Sequence, residues 1–260
     1  MILTSLTICY FSLGLTNLPS TSNSTLIDNQ ADPFTVSLLI DAPLIGGSAA
    51  LFASTLLLNN YGNKKKKTDR TKILLPFDKI ALNRNNKSHD IASTYLQNAM
   101  IISAPLAIGM WQWDLKFKSL VPAFIITESL IVSSAICHFT KSMVRRPRPY
   151  SYTRSFASGE ASRSFYSAHT TVAFAAVTST TSVLYHLQSP YTWPVLYAGI
   201  PLAATVGILR VSSGKHFPSD VIVGALAGAS IGILVPYLHR SNRSLSLIFS
   251  PSGLAVAGNF

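Results

Sequence analysis

Charge is scarce in this chain. Asp, Glu, Lys and Arg make up 12% of its 260 residues, where a soluble domain carries about 25%. Only ten residues are acidic, against 21 Lys and Arg. Apolar residues reach 48%, and mean hydropathy is positive. An ordinary soluble domain is excluded, and a membrane protein is expected. The excess of +11 would suit nucleic acid. In an apolar, helix-rich chain such charge goes instead to headgroup contacts and topology, so no nucleic-acid partner is expected. Cysteine is nearly absent too. Cys9 lies in an apolar leader and Cys137 inside a predicted span, which excludes a disulfide framework and a cysteine metal site. No carboxylate cluster is visible along the sequence, so neither a metal nor another cofactor is expected.

What the chain has in quantity is long apolar runs. A bilayer core needs about 20 helical residues, and six stretches qualify, near 36–58, 91–110, 119–140, 168–188, 193–210 and 220–239. Pro105, Pro122, Pro201 and Pro236 interrupt them, which a bundle tolerates because neighbouring helices re-satisfy the freed backbone groups. Gly224, Gly228 and Gly232 recur every four residues in the last run, a face suited to close helix approach. The expected fold is an all-α, six-helix transmembrane bundle occupying residues 26–240. Residues 1–25 read as a signal peptide or N-terminal leader, although the basic n-region is missing. Residues 241–260 form a tail, in which Ser244 to Phe249 and the Pro251-Ser252-Gly253 turn predict a short hairpin.

Three short segments stand at span ends: Lys141-x6-Arg148-Pro149, Ser167-Ala168-His169, and Arg210-x5-His216-x3-Asp220. If each apolar stretch crosses once, consecutive connections alternate sides, and all three emerge on one face. They share it with the loop at 59–90, whose Lys64-Lys65-Lys66-Lys67 run reads as a solvated stretch touching anionic headgroups. Seventeen of the 21 basic residues fall on this face, which by the positive-inside rule is cytoplasmic.

The segments carry a coherent chemistry. A phosphate ester needs its negative charge held while the bond to the leaving oxygen breaks. Arginine offers a planar fork of donors and lysine a point charge, so Lys141, Arg148 and Arg210 form a candidate clamp. Pro147 and Pro149 hold Arg148 in extended backbone, and Arg145 and Arg146 beside it are expected to face headgroups. Ser167-Ala168-His169 opens a helix, where free amides and the helix dipole suit an anion. Asp220 can accept a hydrogen bond from one nitrogen of His216, leaving the other as a nucleophile. Each piece has a plainer reading: topology charges, a capping serine, an N-cap aspartate. Their ordered conjunction is harder to dismiss.

That set, with Tyr166 before Ser167, resembles the tripartite signature of the type 2 phosphatidic acid phosphatase superfamily, which includes lipid phosphatases, bacterial acid phosphatases and vanadium haloperoxidases. The resemblance covers residues 90–240 and implies a six-helix core. It implies that His216 attacks phosphorus to form a phosphohistidine and that Asp220 orients it. His169 would protonate the leaving alcohol and then help activate water. Lys141, Arg148, Arg210, Ser167 and the Ala168 amide would hold the phosphoryl oxygens, with no metal or cofactor. The family pattern is Pro-Ser-Gly-His where this chain has Tyr166 and Ala168, and Ser where it has Leu209. Ala168 matters most, because glycine there could serve an unusual backbone angle.

The reading is a metal-independent membrane phosphatase acting on a lipid phosphate monoester or diphosphate, with membrane lipids as its surroundings. It is expected in the bacterial inner membrane. Family precedent puts the site on the extracytoplasmic face, against the lysine count. The rivals are a vanadium-dependent haloperoxidase, a non-catalytic lipid-phosphate-binding protein disabled by Ala168, and a transporter. For the last, Asp41, Glu128 and His138 are ionisable residues inside spans, though without shared spacing.

Overall fold

The computed structural model describes residues 33–62, 75–111, 120–152, 159–241, 245–250 and 253–258. The leader and the tetralysine run lie outside them. Six long helices follow in order: α1 Leu38–Gly62, α2 Lys87–Trp111, α3 Leu120–Val144, α4 Ala168–His186, α5 Thr192–Ser212 and α6 Pro218–Leu238. Each falls within a few residues of an expected span. After them, β1 (Leu245–Ser250) pairs antiparallel with β2 (Gly253–Gly258), the expected tail hairpin.

Helix ends carry their stop and start signals. Asn86 caps α2, its Oδ1 accepting from the His89 amide at 3.1 Å. Gly214 ends α5 in the left-handed region at φ +70°, where a Cβ would strike the Arg84 carbonyl. Pro218 opens α6, and Asp220 accepts from the Phe217 amide at 2.9 Å.

Five of the helices are long and apolar enough to cross a bilayer, and α4 is not among them. The reason is its place in the bundle. The helix is buried around most of its circumference, from Thr170 through Leu184, and packs against α2, α3, α5 and α6. It therefore meets little lipid. Its hydroxyls bond back along the helix, Thr171 to the Ser167 carbonyl and Thr178 to that of Phe174. The outward faces of the others carry exposed Leu56, Leu57, Ile102, Leu106, Ile208, Leu226 and Ile233. This is the make-up of an integral membrane protein.

The glycine face of α6 lies on α4. A Cβ at Gly224 would come 2.8 Å from the Ser167 carbonyl, and at Gly228 it would overlap the Thr171 carbonyl. Close approach here fixes the start of α6, with His216 just before it, against the start of α4, with His169.

Candidate active site

The starts of α2, α4 and α6 and the ends of α3 and α5 meet at one end of the bundle, as the alternation of connections predicts. They enclose a cavity of about 270 Å³ lined by Lys141, Arg148, Ala168, His169, Arg210 and His216, together with Gln97, Ser134, His138, Glu160, Arg163 and Val172. Residues from all three sequence segments thus share one wall-to-wall space. Ser167 and Asp220 do not line it.

Each cation is held in place. Lys141 donates from Nζ to the Arg163 carbonyl at 3.0 Å. Arg148 donates to the Glu160 carbonyl at 2.9 Å and pairs with its carboxylate at 3.0 Å. Arg210 pairs with Asp90 and donates to Ser93 Oγ at 3.2 Å. Lys215 meets the same Asp90 at 3.2 Å. Carboxylates thus sit on both arginines that a phosphoryl group would claim, and a carbonyl on the lysine.

His216 is 2% exposed. Burial first, then the charges of Lys141, Arg148 and Arg210, hold its imidazole well below its ordinary pKa of 6.5. It is therefore neutral near pH 7, the form in which a ring nitrogen keeps a lone pair. Its Nδ1 stands 3.7 Å from Asp220 Oδ2 and has no hydrogen-bond partner among the described residues. The expected hydrogen bond to Asp220 is thus not formed. The carboxylate is instead occupied by the Ser164 hydroxyl, the Phe217 amide and the Arg146 guanidinium.

His169 Nε2 lies 3.2 Å from Thr94 Oγ1. That hydroxyl donates to the Asp90 carbonyl at 3.0 Å, so its oxygen is left to accept from Nε2–H of His169. Ser167 is fully buried behind the cavity wall. Its hydroxyl accepts from Thr170 at 2.9 Å and its amide donates to the Asp220 carbonyl at 3.1 Å, so it braces α4 against α6 and does not reach the cavity. Ala168, the first residue of α4, has no left-handed backbone. An alanine stands there without torsional strain, so the anticipated need for glycine at that angle does not arise.

Arg145 and Arg146 also depart from expectation. Arg145 donates to the carbonyls of Ser142 and Leu58. Arg146 bridges Asp78, Asp220 and Ser219 and lies 4.3 Å from the Phe217 ring centre. Both turn inward because buried carbonyls and carboxylates need donors more than headgroups do. Asp78, Asp90, Thr94, Glu160 and Arg163 were not singled out from the sequence. Their signal was the rarity of acids: Asp78, Asp90 and Glu160 are three of only ten.

All the residues predicted for the site lie within a stretch that can be compared directly with known families. The PAP2 superfamily profile matches residues 122–244. That stretch belongs to the PAP2 superfamily. The lipid A 1-phosphatase of Porphyromonas gingivalis is 38% identical over 87 residues, 33% of this chain and 18% of that protein, so the chain spans under a fifth of this curated relative. Among solved structures, Aquifex aeolicus LpxE has a TM-score of 0.45 and 22% identity, over 65% of this chain and 98% of that one. A transmembrane PAP2-type phosphatidylglycerolphosphate phosphatase from Bacillus subtilis has a TM-score of 0.42 and 19% identity, over 74% and 92%. The PAP2 segment contains every cavity residue except Gln97, while Asp90 and Thr94 come from α2 outside it.

Proposed function

We propose that this PAP2 protein is a membrane phosphatase that hydrolyses a lipid phosphate monoester or diphosphate through a phosphohistidine. The observation that carries the reading is one cavity, at the end of a bundle of membrane-crossing helices, lined by the imidazoles of His138, His169 and His216 and by Lys141, Arg148 and Arg210. Neutral His216 attacks phosphorus with its ring nitrogen Nε2. The bond from phosphorus to the lipid oxygen breaks, and His169, protonated on both ring nitrogens once the phosphate anion is bound, gives that oxygen its Nε2 proton and is left neutral. Water then attacks the phosphohistidine, His169 takes a proton from it, and phosphate leaves with His216 restored. The cations hold the three non-reacting oxygens throughout. No step requires a metal. Residues 26–240 are the catalytic unit, with the leader and the 241–260 tail accessory to it.

Asp220 acts on His216 at 3.7 Å as a fixed negative charge, steadying the imidazole as it becomes positive. We place the site on the extracytoplasmic face of a bacterial inner membrane. The basic-residue count argues weakly against this, because Lys141, Arg145, Arg146, Arg148 and Arg210 are bound to the protein itself.

The P. gingivalis relative acts on lipid A by its name, which makes a phosphorylated saccharolipid the first substrate to try. Phosphate release by purified protein in detergent is the test, across such a saccharolipid, phosphatidylglycerol phosphate, phosphatidate and a polyprenyl diphosphate. Hydrolysis of at least one without added metal is expected. Binding of these lipids with no release from any of them would favour the non-catalytic reading.

A further inference from the structure

A second constellation lies at the opposite end of the bundle. Asp41 stands in the first turn of α1, Glu128 in the first half of α3, and His239 caps the end of α6. Along α3 the thirteen residues from Glu128 to Lys141 span roughly 20 Å at 1.5 Å per residue, so this group is remote from the phosphate cavity. His239 Nε2 is 3.0 Å from Asp41 Oδ1 and 3.2 Å from Glu128 Oε2. One ligand atom from each residue lies within 4.8 Å of the other two. All three residues are buried, Glu128 to 1% exposure and His239 to 0%.

The hydrogen bonding points outward from a common centre. His239 Nδ1 lies 2.8 Å from the Val235 carbonyl, and a carbonyl only accepts, so Nδ1 carries a proton. In the neutral ring Nε2 then offers a lone pair towards two carboxylates. Asp41 Oδ2 is engaged by the Ser37 amide at 2.6 Å, which leaves Oδ1 facing Nε2. Neither oxygen of Glu128 has a hydrogen-bond partner among the described residues. A buried carboxylate without one is costly. Among the described residues no Lys or Arg pairs with either acid. A protonated His239 would still leave one net negative charge with a single N–H to share. A divalent cation balances both carboxylates and gives every facing lone pair a partner.

We propose that Asp41, Glu128 and His239 form a site for a divalent cation of Zn2+ or Mn2+ type, which ties α1, α3 and α6 together. The separations of His239 Nε2 from the two carboxylate oxygens, 3.0 and 3.2 Å, suit ligands lying about 2.1 Å from one ion. Two carboxylates and an imidazole suit such borderline metals. The Nδ1–H bond to a backbone carbonyl is the outer support that metal-bound histidines use. The role is structural, so it is separate from the phosphatase chemistry and stands whether or not that reading holds.

The test uses the full chain in detergent, stripped with a chelator and titrated with buffered Zn2+. Bound metal is read by mass spectrometry and melting by tryptophan fluorescence. One Zn2+ per chain is expected, raising Tm. It should be retained in a His169→Ala/His216→Ala variant, which removes two of the three imidazoles of the phosphate cavity, the third being His138. Glu128→Gln and, independently, Asp41→Asn should weaken binding by at least about tenfold and abolish the metal-dependent rise in Tm. Failure of the wild-type protein to hold Zn2+ would overturn the proposal. So would undiminished binding in Glu128→Gln, or loss of the ion in the double histidine variant alone.

Discussion

Asp220 stands 3.7 Å from His216 Nδ1 with its own oxygens already taken by Ser164, Phe217 and Arg146. The aspartate is thus immobilised by its other neighbours, and the imidazole is positioned by the chain that carries both. Arg146 is the keystone, since it also holds Asp78 at 2.7 Å, and Asp78 grips the start of α6 through the Ser219 amide at 3.0 Å.

Removing that guanidinium leaves two fully buried carboxylates without their counter-charge. Arg146→Ala should destabilise the protein by about 3–5 kcal/mol and abolish turnover. Arg146→Lys should recover part of the stability and less of the activity, because one ammonium cannot reproduce the fork. Thermal melts and phosphate release on both variants check this, and an unchanged Tm in Arg146→Ala would sink it.

The α4–α6 contact makes a second, more local prediction. Gly228→Ala puts a methyl into the Thr171 carbonyl and should cost about 1–3 kcal/mol, with lost activity as His216 shifts relative to His169. Gly47→Ala on α1 meets nothing within 4 Å and should be neutral in both assays. Equal melting of the two variants would contradict the close packing.

Glu160 occupies Arg148 but is 63% exposed, so it competes only weakly with an incoming phosphoryl group. Glu160→Gln should tighten inhibition by inorganic phosphate by up to about fivefold, the range of an exposed ion pair. Weaker inhibition in this variant would mean that the glutamate positions Arg148 and does not screen it.

The pH profile follows from the sign of the His216 shift. Attack needs the neutral imidazole, and its pKa is lowered from 6.5 by burial and by Lys141, Arg148 and Arg210. As pH falls through 6.5 the ring stays unprotonated, so the acid limb of kcat/KM should lie below that value. The substrate's own second ionisation, near about 6, must first be divided out. A Lys141→Met variant removes one of the opposing charges and should move the limb upward. A limb at or above 6.5 in the wild type would contradict the assignment.

Much of this arrangement was legible in the sequence because each motif residue sits where an apolar run stops. Counting crossings was enough to bring Lys141, His169, Arg210 and His216 to one side. The partners were not legible. Asp90 meets Arg210 across 120 residues, and Asp78 meets Arg146 across 68. Such pairings depend on how each helix is rotated about its axis, which apolar runs without a clear polar stripe leave open. The same blindness hid His239. Asp41 and Glu128 stood out as charges within spans, yet their partner is a histidine 198 residues beyond Asp41, and not His138. Ser167 is a different case. Its place at a helix start suggested an anion contact, whereas the tight α4–α6 approach turns it into a brace.

Phosphate release from a lipid phosphate by the wild type beside His216→Asn tests the central claim most directly, with Tm measured to show that the variant is folded. The account predicts a loss of at least about 10⁴-fold, as for removal of a covalent nucleophile. Turnover by the folded variant at the wild-type rate would contradict it.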